Sequence, residues 1–253
     1  MAVSVEELEA VAALGWRAPE EARLGGWLLR AAAGFTGRAN SALAAGDPGL
    51  PLAGAVSAVG QWYQARGLPA MIAVPYPAGD PDRSAVDRFL AGQGWRVRSG
   101  AAVMMTGRTA DVASRTAAPA GVRVEVDPEP GEHWLAGYHY QGQDLPPAAR
   151  QLLMSAPWQA FASVREAGRA IAIGRVAAAD GWAGLTAIEV DPGHRRRGLA
   201  TAVTAALAAA AAEHGAGGLY LQVETENAAA RALYARAGFT DHHAYHYRIA
   251  RRH

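Results

Sequence analysis

Leu185-Thr186-Ala187-Ile188-Glu189-Val190 is an apolar run that leads, through Asp191-Pro192-Gly193, into His194-Arg195-Arg196-Arg197-Gly198-Leu199-Ala200. An Ala-rich segment of helical pattern follows and extends to His214. An Arg-x-x-Gly-x-Ala turn between a strand and a helix is suited to hold a pyrophosphate. The N–H groups of the turn and the helix N-terminus point at one spot, where the helix dipole favours an anion. Gly198 lets the backbone approach phosphates closely, and the small Ala200 keeps the first helical turn open. Each N–H bond to a charged oxygen contributes roughly 1.5–3 kcal/mol. Several of them, with Arg pairing, can anchor a nucleotide-type cofactor.

Outward from this turn the second half reads as an α/β alternation. Strands are expected at Val122–Val126, Trp158–Val164, Ala170–Val176, Trp182–Val190, Gly217–Glu224 and Tyr245–Ala250. Helices are expected over Pro130–Tyr138, over Pro146–Ser155, after the Arg-rich turn, and from Asn227 to the C′ glycine Gly238. The first half echoes this order. Asp47-Pro48-Gly49 recurs as Asp191-Pro192-Gly193, and Gly94-Trp95 recurs as Gly238-Phe239, both at an offset of 144 residues (191 − 47 and 238 − 94). Strands at Met71–Val74 and Ala101–Thr106 fall in matching places, which points to a duplicated domain. After Asp47-Pro48-Gly49, however, comes Leu50-Pro51-Leu52-Ala53-Gly54 with no arginine, so the first copy has no phosphate turn. Gly107–Gly121 is small, polar and aperiodic and reads as a linker. It places a boundary near residue 115, between domains 1–115 and 116–253.

Composition narrows the function classes. Of the 253 residues 51% are hydrophobic and 19% charged, which is enough for a sizeable core and excludes global disorder. A net charge of +1 gives no reason to expect nucleic acid or an acidic membrane as partner. With no cysteine, disulfides, thiolate nucleophiles and Cys-ligated metals are excluded. Leu199–Ala212 is too short and too Ala-rich to span a bilayer, and Met1–Ala13 lacks a basic head before an apolar segment. A cytoplasmic protein, monomer or homodimer, is expected.

Ile188-Glu189-Val190, Arg195-x-x-Gly198-x-Ala200 and Asn227-x-x-Ala230-x-x-x-Tyr234-x-x-x-Gly238-Phe239 together resemble the GNAT superfamily of acetyl-CoA-dependent N-acetyltransferases. The resemblance covers about residues 122–250. It implies tandem GNAT-like α/β domains, each a mixed, mostly antiparallel sheet flanked by helices, with the N-terminal copy degenerate. It implies acetyl-CoA as cosubstrate and no metal. Ile188, Glu189 and Val190 then match the strand that binds the pantetheine arm, and Arg195, Arg196, Arg197, Gly198, Leu199, Ala200 and Thr201 match the pyrophosphate turn. Asn227 matches the residue that contacts the cofactor at the next helix, and Tyr234 the general acid near the thioester sulfur. Gln222 stands where some members that act on protein N-termini carry a Glu base, so that mechanism is in doubt here. The Leu24–Ser41 run also resembles a two-domain group that includes N-acetylglutamate-synthase-like proteins.

The acceptor sets the demand on a base. A lysine-type amine, with a pKa of about 10.4, costs about 4.6 kcal/mol to present neutral at pH 7, whereas an α-amine costs only about 1 kcal/mol. Glu189 and Glu224 are the base candidates, Glu224 sharing the strand face of Gln222. Tyr138 and Tyr140, in the loop between two expected helices, and Gln222 are candidates for acceptor contact. His242, His243 and His246 sit close together without an accompanying carboxylate set, and are expected at the surface or lining the substrate pocket. Trp16, Trp27, Trp62 and Trp95 are expected in the core. Arg38, Asn40 and Ser41 are polar on an otherwise apolar segment and could reach a cleft. The resulting expectation is acetyl transfer by direct attack of a small-molecule primary amine, an amino acid such as glutamate among the candidates. The alternatives are a catalytically inactive acyl-CoA-sensing module and a protein N-terminal or lysine acetyltransferase.

Overall fold

The computed structural model describes residues 3–80, 84–98, 100–139, 145–146 and 149–251. It divides into two compact units, one of Met1–Met104, Glu224–Glu226 and Asp241–His253, the other of Met105–Val223 and Asn227–Thr240. The division does not follow a single cut in the chain, which a boundary near 115 assumes.

The first unit opens with α1 (Val5–Leu14), started by a capping box in which Ser4 Oγ accepts from Glu7 N and Glu7 Oε2 accepts from Ser4 N. There follow β1 (Glu20–Leu24), β2 (Trp27–Ala31), β3 (Ala42–Leu43), α2 (Leu52–Gln64), β4 (Met71–Pro77), α3 (Ala85–Gly92), β5 (Arg96–Val97) and β6 (Ala102–Arg108). Trp27, Leu29, Val59, Tyr63, Ile72 and Leu90 form its core. Between β2 and β3, Asn40 organises a tight loop. Its Oδ1 accepts from Ala32 N and Gly34 N, and its Nδ2 donates to the carbonyls of Phe35 and Thr36. The polar residue expected to reach a cleft is thus a buried brace, with its hydrogen-bonding capacity used inside the loop.

The second unit contains α4 (Thr109–Arg115), β7 (Glu125–Asp127), α5 (Glu132–Gly137), α6 (Ala149–Leu153), β8 (Trp158–Glu166), β9 (Arg169–Ala179), β10 (Trp182–Val190), α7 (Leu199–Glu213), β11 (Gly218–Glu224) and α8 (Ala228–Arg236). The final strand is β12 (Thr240–Ile249). The expected linker therefore contains a helix, over Thr109–Arg115. Val112 and Thr109 bury their side chains and Thr109 N donates to the Gly217 carbonyl. Seven residues with one aliphatic anchor are too few to show a helical period in sequence.

Strand order in the first unit is β1-β2-β3-β4-β12 and in the second β11-β10-β9-β8-β7; β6, which the division between Met104 and Met105 splits, neighbours β11. β3 runs parallel to β4, and β10 runs parallel to β11. The matching pattern has one departure. β6, the last strand of the first half, neighbours β11, whereas β12, the last of the second half, pairs antiparallel with β4. Each half contributes its closing strand to the other half's core strands.

β12 also relocates the histidines. His243 and His246 are buried, each against a carboxylate: His243 Nε2 lies 2.9 Å from Glu9 Oε1, and His246 faces Asp87. Asp87 accepts two further bonds from Arg248, Nε at 2.8 Å and Nη2 at 2.7 Å. Burial raises the Asp87 pKa, but the bonds from Arg248 and His246 outweigh it and hold the carboxyl below its usual value. A depressed carboxyl pKa stabilises the fold above the unfolded-state value, and the contribution is lost as pH falls through the folded-state value. Asp87→Ala should therefore cost about 3–5 kcal/mol in urea unfolding at neutral pH, because it strands Arg248 and His246. Against Asp87→Asn the wild-type advantage should shrink in acid; a pH-independent difference would contradict the linkage.

Candidate active site

α7 is seated by a close approach to β9. A Cβ at Gly174 would lie 2.6 Å from Val203 Cγ1 and 2.9 Å from Leu207 Cδ1, so the helix packs where glycine leaves room. β10 beneath it changes character along its length. Its parallel register with β11 runs from Trp182↔Gly218 to Leu185↔Leu221. The pairing with β9 then shifts between Thr186 and Glu189, and Ala187 adopts a φ of +53°. A bulge of this kind re-aims a strand and commonly marks a site. Beyond it, Ile188, Glu189 and Val190 are half-buried.

Asp191 stops the strand. Its Oδ1 accepts from Gly193 N at 2.9 Å and lies 3.0 Å from His194 Nδ1, closing a turn of 3-10 helix over Pro192–His194. Arg195, Arg196 and Arg197 are exposed, with Arg195 Nε donating to the Val190 carbonyl at 3.4 Å. Arg196 (φ +62°) and Gly198 (φ +75°) both take the left-handed conformation, a feature of backbone turns that gather N–H groups around anions. A Cβ at Gly198 would meet Pro119 Cγ at 2.6 Å, so glycine is required sterically as well. Gly198 caps α7 with no side-chain hydrogen bond, and the first N–H groups of a helix have no intrahelical partner. Leu199 is buried, while Ala200 and Thr201 are half-buried at the helix mouth. The residues expected to hold a pyrophosphate therefore form one exposed, cationic, donor-rich surface.

On α8, Asn227 is the N-cap, its Oδ1 accepting from Ala230 N at 3.1 Å. Tyr234 is half-buried against Phe239, ring centroids 5.9 Å apart. Burial pushes its hydroxyl up to about 12, so it is a proton donor throughout the physiological range. Glu189 is the other perturbed group. Burial raises its carboxyl pKa by more than the bond from His139 N, at 3.3 Å, lowers it. A carboxyl shifted toward neutrality is better matched to base catalysis.

The remaining candidates disperse. Glu224 is exposed at the end of β11 and belongs with the first unit, whereas Gln222 is half-buried in the second. Tyr138 is 6% exposed and packs against Trp134, where it supports α5 instead of facing solvent. Tyr140 lies outside the described residues. Sequence reading missed the partners of the turn. Glu166 Oε2 lies 2.8 Å from His194 Nε2 and its Oε1 accepts from Arg197 at 3.5 Å, while Arg169 pairs with Asp191. Asp-Pro-Gly-His signals a tight turn, but nothing local links it to a hairpin tip more than twenty residues upstream. Among the described residues no group of three or more His, Asp or Glu could hold a metal ion, and no helix is long and apolar enough to cross a membrane.

Comparison with known proteins places the whole chain in a family. The family model described as "Probable histone acetyltransferase Rv0428c C-terminal" matches residues 3–248. The uncharacterized N-acetyltransferase YobR of Bacillus subtilis (strain 168) is 29% identical over 263 residues, spanning 98% of this chain and 99% of that protein. In fold, the chain is similar to a GCN5-related N-acetyltransferase from Kribbella flavida, with a TM-score of 0.73 at 18% identity and coverage of 100% and 98%. A tandem GNAT protein from the clavulanic acid biosynthesis pathway superposes with a TM-score of 0.61 at 16% identity, over 94% of this chain and 85% of that one. The chain therefore belongs to the family described by that model, that of a probable histone acetyltransferase, and it shares the fold of GCN5-related N-acetyltransferases.

Proposed function

We propose that the second unit binds acetyl-CoA at the Arg195–Thr201 turn and transfers its acetyl group to a small-molecule primary amine by direct attack. The observation that carries this is the turn itself: two left-handed residues, three exposed arginines and an uncapped helix N-terminus directly after a bulged strand. The donors fit a pyrophosphate, and the Ile188–Val190 backbone fits an extended amide-bearing arm. When bound, acetyl-CoA supplies the activated thioester carbonyl.

The chain's residues then have distinct roles. Backbone N–H near Val190 polarises the carbonyl. The amine nitrogen attacks the carbonyl carbon, a C–N bond forms, the C–S bond breaks, and the proton released by the amine passes to Glu189. Tyr234 supplies a proton to the departing sulfur and Asn227 contacts the cosubstrate at α8. Gln222 lines the acceptor side and Glu224 is the alternative base. An α-amine, an amino acid such as glutamate among them, suits this site because its deprotonation is cheap.

The first half is read as a degenerate copy. Its β3–α2–β4–α3 order and parallel β3/β4 pair parallel β10–α7–β11–α8, but α2 starts at Pro51 with no arginine turn. The description of the matched family favours a second reading, in which the amine belongs to a protein. Mass spectrometry of acetylated products across a panel of amino acids, polyamines and peptides separates the two. Acetylation of peptides alone would overturn the small-molecule acceptor.

Arg196→Ala combined with Gly198→Asp should raise the acetyl-CoA KM more than about tenfold, the worth of one lost charge-assisted contact. An unchanged KM would mean that the turn holds no phosphate. Tyr234→Phe should lower kcat by about a hundredfold at every pH tested. Glu189 is active as the carboxylate, so kcat/KM should fall as pH drops through its raised pKa. Glu189→Gln should abolish that acidic limb; if the limb persists, the base is another group.

A further inference from the structure

We propose that the tip of the β8–β9 hairpin is a charged clamp that positions the phosphate turn, with Glu166 and Arg169 as positioning residues acting through His194, Arg197 and Asp191. The hairpin closes through Ala167 (φ +50°) and Gly168 (φ +80°), two consecutive left-handed residues, and Glu166 pairs across it with Arg169 in the strand register. That tight turn brings both flanking side chains to one end of the hairpin. Both reach the same target. Arg169 pairs with Asp191, which itself caps the 3-10 turn, and Glu166 takes His194 and Arg197.

The proton inventory follows from the partners. His194 has Asp191 Oδ1 at 3.0 Å from Nδ1 and Glu166 Oε2 at 2.8 Å from Nε2. Ionised carboxylates only accept, so both ring nitrogens carry protons and the residue is an imidazolium. The bonds its ring donates to Asp191 and Glu166 raise its pKa accordingly. Two carboxylates therefore meet three cations, Arg169, His194 and Arg197, and the assembly keeps an excess positive charge beside the turn. Neutral His194 would lose one of its two bonds and that excess together. A raised histidine pKa means the charged form is complete below the ordinary value and is lost as pH rises through the folded-state value. Arg197 makes the longest contact of the set, at 3.5 Å, and can turn toward an anion without dismantling the rest.

None of these side chains is needed for the hairpin itself. Glu166 and Arg169 are exposed, 53% and 71% at the side chain, so their substitution leaves the core intact. What the ordered turn binds rests on the function proposed above, whereas the ordering does not.

The test uses the full chain with Glu166→Gln/Arg169→Gln and, separately, His194→Asn. Amide hydrogen exchange without ligand should accelerate about threefold to tenfold across Asp191–Leu199 in the double variant, the effect of losing exposed charge-assisted bonds, with β9 and the middle of α7 unchanged. The acetyl-CoA KM should rise by a similar factor while kcat at saturation holds. Affinity of the wild type should weaken as pH rises through the raised His194 pKa, relative to His194→Asn, which lacks the titrating ring. Unchanged exchange, or faster exchange with an unchanged KM, overturns the clamp. Wild-type protein that binds no acetyl-CoA in calorimetry refutes the function proposed above, and the exchange data still decide the clamp.

Discussion

The obligation of every backbone N–H and C=O to find a partner governs this protein, and β10 is where the ladder that meets it is interrupted, its pairing with β9 shifting between Thr186 and Glu189. Up to Leu185 the strand is paired on both sides. Past Thr186 the bulge at Ala187 shifts the register on β9, and the pairing with β11 has ended. The chain then turns through Arg196 and Gly198 into a helix whose first N–H groups have no partner by construction. In the function proposed above this stretch is the ligand surface, and its helix N–H donors are oriented before any ligand arrives.

Surrounding structure holds that surface open. Gly174 lets α7 sit close on β9, and Pro119 closes over Gly198. The ion pairs of Glu166, Arg169, Asp191 and His194 hold the start of the turn. The electrostatic pattern is also divided. Positive groups gather at the turn, while Tyr234 and Glu189 are half-buried and shifted by desolvation. In the function proposed above, binding and proton transfer depend on different physical terms, exposed charge for one and burial for the other.

The first unit has a similar element order without a cationic turn. Its β3–α2 connection runs through Leu50 and Pro51 into the helix, with no cationic turn. Its polar residues are used internally. Asn40 braces its loop, Arg30 bonds Ser41, and His243 and His246 pair with Glu9 and Asp87. The closing strands also cross, β12 beside β4 and β6 beside β11.

Periodicity and turn chemistry in the sequence alone determined the alternation of the second half, the ends of β10 and β11 to within a residue, and the Arg195–Ala200 turn. These are local signals, carried by neighbours in the chain. The Asn227–Tyr234–Gly238 spacing was equally legible because one helix holds it. Only the tertiary structure decided the rest. α4 was hidden because seven residues show no period, and Tyr138 proved to be a packing residue because Trp134 covers it. His243 and His246 became buried hydrogen-bonded side chains because Glu9 and Asp87 meet them from distant elements. Glu189 was distinguished from Glu224 by burial, and the hairpin clamp and the crossed closing strands join segments far apart in the chain. Such pairings depend on which surfaces pack together, and no pattern within a single segment records that choice.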